Sequence, residues 1–267
     1  LYLAYQIIDY VLIDVPGAPI KEALIKANIG NDIYSSYDNG ILQPIYSIVA
    51  KGSNEEDKDR FVNIVRDTLS NIVEKGISKR SLEAAINHFE FKYKEANYGR
   101  YPKGLMYGLQ CFDSWLYDAN EPYMHIMAND TFEFLKSKID TDYYEQLIKK
   151  YLLDNNHRSV VMIKPKKGLN TELEKKDKEK LAAYKATLSK EELLDVIKQD
   201  KALKEYQSEP STKEELETIP MLSLEDIEKK GHKLNNIVGD ISGVTTVSHH
   251  IFTNGIGYMH LSFNIED

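Results

Sequence analysis

Residues 32–75, DIYSSYDNGILQPIYSIVAKGSNEEDKDRFVNIVRDTLSNIVEK, carry two periodicities in succession. Asp32 to Tyr37 reads as a short strand. Asp38-Asn39-Gly40 reads as a hairpin turn, because Asn-Gly tolerates positive φ at both central positions. Gln43 to Lys51 is the return strand. Its Ile45, Ser47 and Val49 alternate with Tyr46, Ile48 and Ala50, and apolar residues on both faces predict a strand covered on both sides. The spacing then changes. Ser53-Asn54-Glu55-Glu56 has the form of a capping box. Phe61, Ile64, Val65, Leu69, Ile72 and Val73 repeat at helical spacing until Gly76 ends the run. A hairpin running into an amphipathic helix predicts an α+β domain with a sheet layer and a helix layer.

The flanking sequence extends this pattern. Residues 1–13 predict a helix, broken by proline and glycine between Val15 and Pro19. Ile20 to Lys26 predicts a short helix closing near Gly30. Ser78 caps a further helix with Leu82, Ala85, Ile86, Phe89 and Tyr93 along one stripe. Lys103 to Tyr117 and Asp142 to Leu153 predict two more helices, the first holding Trp115. Ser159 to Ile163 is β-branched and stops at Pro165, which predicts a strand. Composition shifts at Lys164-Pro165-Lys166-Lys167-Gly168. From there to Gly231 the chain is rich in Lys and Glu, with sparse apolar residues at helical spacing (Leu173, Leu181, Tyr184, Leu188, then Leu193, Leu194, Ile197, Leu203). A second capping box, Ser189 with Glu192, divides this stretch into a predicted helical hairpin. Val244 to Ser248 and Ile256 to Asn264 read as strands with Asn254-Gly255 at a hairpin. The predicted organisation is an α+β domain over 1–165, a helical linker over 166–231, and the first strands of a further α/β unit over 232–267. Both ends read as interior to a longer polypeptide.

Bulk properties narrow the function classes. The chain has 267 residues, 42% hydrophobic and 28% charged, with a net charge of −8. That acidic balance argues against a nucleic-acid partner, which needs a basic stripe. No apolar run reaches the length of a membrane span, so no membrane partner is expected. The single cysteine, Cys111, allows no internal disulfide. It reads as a small buried apolar residue.

Several local strings, in order along the chain, resemble one family. They are Gly17-Ala18-Pro19-Ile20-Lys21-Glu22-Ala23-Leu24-Ile25, Gln43-Pro44-Ile45-Tyr46-Ser47-Ile48 with Lys51-Gly52, Pro102-Lys103-Gly104-Leu105 with Trp115 and Tyr117, Leu153-Asp154-Asn155-Asn156-His157-Arg158, and Ile219-Pro220-Met221-Leu222-Ser223-Leu224-Glu225-Asp226-Ile227. Together they resemble the insulinase-like (M16) clamshell zinc metallopeptidases, in the presequence-protease and falcilysin branch. The resemblance implies two halves of paired α+β domains, joined by a helical hinge and closing around a peptide chamber. This chain would be the second domain, the hinge and the opening of the second half. The family's zinc sits on a His-x-x-Glu-His helix of the first domain, with a downstream glutamate as third ligand. None of the seven histidines here fits that motif: His88-Phe89-Glu90 lacks the second imidazole, and His249-His250 has no acid beside it. Catalytic and metal residues are therefore expected outside this chain, with zinc a cofactor of the parent enzyme and not of this piece.

The resemblance also implies an exosite. An edge strand of the second domain pairs with a peptide substrate, and it corresponds here to Asp32, Ile33, Tyr34, Ser35, Ser36 and Tyr37. An exposed edge offers unpaired amides and carbonyls to an extended peptide regardless of its sequence. The same residues also read as an ordinary hairpin strand with no ligand. Tyr98, Tyr101, Tyr107 and Tyr117 read as chamber lining or as a packed aromatic layer. His249-His250 reads as a solvated strand pair. Glu83, His88 and Glu90 have spacings that keep them off one helix face. Expected partners are a peptide substrate and the remaining domains of the same polypeptide, in a bacterial cytoplasm or an organelle matrix. The alternative reading is a noncatalytic interaction subunit of the same fold without a metal site.

Overall fold

A computed structural model describes residues 1–231, 233 and 235–265. His232, one of the seven histidines read above, lies outside the described residues. The contacts divide the chain into two units, one of residues 1–162 with 251–267 and one of residues 163–250.

The first unit is built around its N-terminal helix. α1 (Tyr2–Asp9) continues directly into a π-helical turn, Tyr10–Asp14. Ile7, Ile8, Leu12 and Ile13 are buried all the way round this segment, which makes it a core helix. α2 (Pro19–Lys26) starts with proline in its first turn, where the missing N–H costs nothing, and buries Ile20 and Leu24. β1 (Asp32–Asp38) and β2 (Ile45–Lys51) form an antiparallel pair with Asp32 opposite Lys51 and Asp38 opposite Ile45. α3 (Lys58–Lys75), α4 (Lys79–Glu95), α5 (Lys103–Trp115), α6 (Asn129–Ser137) and α7 (Tyr143–Ile148) follow, the last running into a second π turn, Lys149–Leu153. Leu69, Leu82, Ile86, Phe132, Leu135, Tyr144 and Ile148 from these helices join the α1 residues and Ile33 in one hydrophobic core.

Two glycines fix the root of the hairpin. Gly30 and Gly52 both have positive φ, 75° and 72°. A Cβ at Gly30 would stand 3.0 Å from the Lys51 carbonyl oxygen, and one at Gly52 would stand 2.7 Å from Asn31 Nδ2. The Asn31 amide donates to that same Lys51 carbonyl at 2.7 Å, so the strands begin side by side with no slack.

Several sequence expectations are corrected here. The turn at Asn39-Gly40 opens into a loop over residues 39–44. Pro44 has no N–H to extend the ladder, and the Asp38 carboxylate accepts from the Gly40 amide at 3.1 Å, curling the chain early. The capping box at Ser53 does not form. Ser53 Oγ donates to the Ala50 carbonyl instead, a 3-10 turn intervenes at Glu55–Asp57, and α3 starts at Lys58. Buried Asp57 pairs with Arg60 at 2.6 Å there. The expected strands at Ser159–Ile163 and Ile256–Asn264 run without a ladder, because among the described residues no strand lies beside either one. Asn254 and Gly255 do adopt the positive φ of the expected turn, 54° and 81°. The Asn254 side chain donates to the Lys94 carbonyl and the Tyr258 hydroxyl to Glu95, which ties this segment to the end of α4.

The second unit holds α8 (Leu169–Thr187), α9 (Lys190–Ser208), the short α10 (Lys213–Glu217), and an antiparallel pair of β3 (Asn236–Ile241) and β4 (Val244–His249). Both bonds of the Ser189–Glu192 capping box are present. The apolar stripes of α8 and α9 stay exposed, Leu181 and Leu194 among them. The β3–β4 turn is made by Ser242 and Gly243, with φ of 54° and 85°.

Candidate functional site

The candidate site is β1, and its geometry follows from strand alternation. Ile33 points into the core and is fully buried, with Ser35 and Tyr37 on the same face. Asp32, Tyr34 and Ser36 point outward, and Tyr34 is 45% exposed. The two tyrosines of the strand therefore do different work. Tyr37 packs on Tyr5 of α1, ring centroids 5.6 Å apart, and Tyr5 in turn meets Tyr151 edge-on and donates its hydroxyl to the Leu147 carbonyl at 3.1 Å. Burial, then the neighbouring tyrosines, push the Tyr5 hydroxyl well above the usual phenol range, so it stays a donor. Tyr34 is left for solvent or a ligand. β1 pairs only with β2 among the described residues, so one edge of it has no ladder partner there.

Beneath the strand lies a polar group that sequence reasoning missed. Asp9, at the junction of α1 and its π turn, faces Ser35 of β1 and Tyr46 of β2. Burial raises the Asp9 carboxyl above the ordinary range; Ser35 and Tyr46 pull it back, and Asp14 adds to the rise. Asp9 Oδ1 and the Tyr46 hydroxyl oxygen are both buried without a hydrogen-bond partner of ordinary geometry. Burial, then Asp9 itself, push the Tyr46 hydroxyl well above its usual value. The signal was present in the sequence as an acid inside the apolar run Ile7-Ile8-Asp9-Tyr10-Val11-Leu12-Ile13.

The other candidate residues are dispersed. His88 stacks flat on Tyr10 at 4.8 Å. Glu90 instead binds Lys94 at 2.7 Å and Lys136 at 2.9 Å. Burial pushes the Glu90 carboxyl up, but the two lysines outweigh it and hold it below the usual range. His249 Nδ1 hydrogen-bonds Asn236 Oδ1 across β3 and β4 at 2.8 Å. Tyr98 meets Tyr107 edge-on and accepts from Gln110, Tyr101 is exposed, and Tyr117 donates to the Gly40 carbonyl at 3.3 Å. Cys111 is half-buried on α5. Among the described residues no three His, Cys, Asp or Glu side chains converge as a metal would require. The residues present do not fit zinc. No described helix is long and apolar enough to cross a membrane.

Comparison with known proteins places the chain. The family model described as Peptidase M16 inactive domain matches residues 1–89, and the model for the domain associated with branch C of the same peptidase family matches residues 163–267. The chain is 40% identical over 262 residues to Protein HypA of Clostridium perfringens, covering 98% of this chain and 27% of that protein. It is 31% identical over 268 residues to Presequence protease 1, chloroplastic/mitochondrial, of Arabidopsis thaliana, covering 98% and 25%. A solved inactive peptidase domain from Bordetella parapertussis superposes with a TM-score of 0.45 at 15% identity, covering 62% of this chain and 84% of that one. The chain spans about a quarter of the length of these curated relatives.

Proposed function

The chain belongs to the M16 peptidases, in the branch that holds the presequence proteases, and from that premise we propose that it is a substrate-gripping, noncatalytic portion of a zinc-dependent oligopeptidase. In this reading residues 1–165 form chamber wall, 166–231 a helical hinge, and 232–267 the opening of the second half. β1 anchors the peptide. The observation that carries the reading is the unpaired edge of β1 together with the outward faces of Asp32, Tyr34 and Ser36. An extended peptide laid along that edge would add a strand through backbone bonds, which suits degradation of many unfolded sequences. Ile33, Ser35 and Tyr37 play a different part: they hold the strand to the core and do not meet the peptide. Zinc and the water it activates belong, in this reading, to other domains of the parent polypeptide, and no catalytic step is assigned to residues here.

Hydrogen exchange tests the anchoring strand. Saturation with a long unstructured peptide is expected to slow amide exchange over residues 32–38, because the amides facing away from β2 acquire acceptors. Unchanged exchange over that segment under saturation removes β1 as the anchor and favours a plain hairpin in a noncatalytic subunit.

A further inference from the structure

α5 is inside out. Leu105, Leu109, Phe112 and Leu116 recur at spacings of four, three and four and so share one side of the helix and its end. All four are exposed, and Phe112 stacks on exposed Trp115 with ring centroids 5.9 Å apart. The opposite side carries Gln110, Cys111, Asp113 and Ser114, which are half-buried or buried. A surface helix ordinarily does the reverse, turning its apolar stripe inward. A contiguous apolar face of this kind on the outside marks a contact surface.

The surroundings say what the contact is with. The C-terminal end of α5 touches the loop of the β1–β2 hairpin: Tyr117 donates to the Gly40 carbonyl, and a Cβ at Gly40 would stand 3.0 Å from Asp113 Oδ1 and 3.8 Å from Asp38 Oδ1. The stripe therefore adjoins the loop that closes the candidate strand. Asp38, Asp113, Asp118 and Glu121 gather at this end, and no lysine or arginine ion-pairs with any of them among the described residues. Beyond Glu121, exposed Met124 and Met127 line a shallow depression. Methionine and aromatic side chains adapt to many apolar shapes, and an uncompensated acidic rim selects for positive charge.

We propose that the outer face of α5 is a second docking surface for the peptide, one that takes apolar side chains flanked by lysine or arginine. This rests on the reading of β1 as a peptide anchor: β1 would hold backbone without regard to sequence, while α5 supplies preference through side chains.

Trp115, the one tryptophan of the chain, reports on this face. The probe is a synthetic unstructured peptide with Leu and Phe set among Lys and Arg, titrated into the full chain while Trp115 emission is followed. A saturable blue shift is expected, weakened about tenfold in affinity by Leu109→Ser with Phe112→Ser, both at exposed positions. Replacing Lys and Arg of the peptide by Glu is expected to weaken binding about tenfold, as is raising the salt. Asp113→Asn with Asp118→Asn is expected to erase the preference for the basic peptide while leaving the apolar stripe intact. An unshifted Trp115 at peptide concentrations that protect residues 32–38 from exchange would overturn the α5 surface and leave β1 standing. A shift without that protection would sink β1 as the anchor while sustaining α5. Blue emission from the free chain, with a dimer's mass in sedimentation, would mean that a second copy covers the stripe and would also overturn the proposal.

Discussion

Asp9 has one buried carboxylate oxygen without a partner, under a strand proposed to bind peptide. Its folded-state acidity is weakened by burial, so the folded chain holds this proton more tightly than the unfolded chain does. The resulting stability is fully present below the unfolded carboxylate value of about 3.9 and is lost as pH rises through the raised folded value. Asp9→Asn is therefore expected to raise Tm at neutral pH, with the gain over the parent chain shrinking toward zero in acid. A gain that is the same at every pH refutes the assignment. Ile33 is the opposite case, an apolar side chain fully buried under the same strand. Ile33→Ala is expected to cost about 2–5 kcal/mol in urea unfolding, since the core can refill such a hole only in part. The sequence pattern placed Ile33 and Tyr37 on alternating registers from Tyr34, but which register faces the core depended on Tyr5 and Ile7, far away in the chain. That choice is tertiary and invisible to local spacing.

Among the elements, long amphipathic helices were legible and short or unpaired ones were not. α4 and α9 start where Ser78 and Ser189 placed them, because a capping hydroxyl acts on its own backbone. α6, by contrast, passed unnoticed: Asn129–Ser137 is nine residues with no side-chain cap, held by Phe132 and Leu135 in the core. The strand-like runs at Ser159 and Ile256 illustrate the other limit. Alternation makes a segment fit for a ladder, yet a ladder needs a neighbour, and the described residues offer none. α9 has few buried residues to support it, so its cap carries unusual weight. Ser189→Ala is expected to destabilise α9 by about 1 kcal/mol, seen as faster amide exchange over its first turn with α4 unaffected. Equal exchange in both proteins would mean that the cap is idle.

For the molecule as a whole, the separation of grip from chemistry has a direct readout. The purified chain is expected to retain only substoichiometric zinc by elemental analysis and to leave unstructured peptides uncut. One tightly held zinc per chain together with cleavage would end that separation. The hairpin root gives the gripping part its character. With Gly30 and Gly52 pressed against Lys51 and Asn31, and Tyr37 locked over Tyr5, the receiving edge is already in its final shape before any guest arrives. The arriving peptide alone surrenders conformational freedom, and the host's share of that entropic penalty was met when the chain folded.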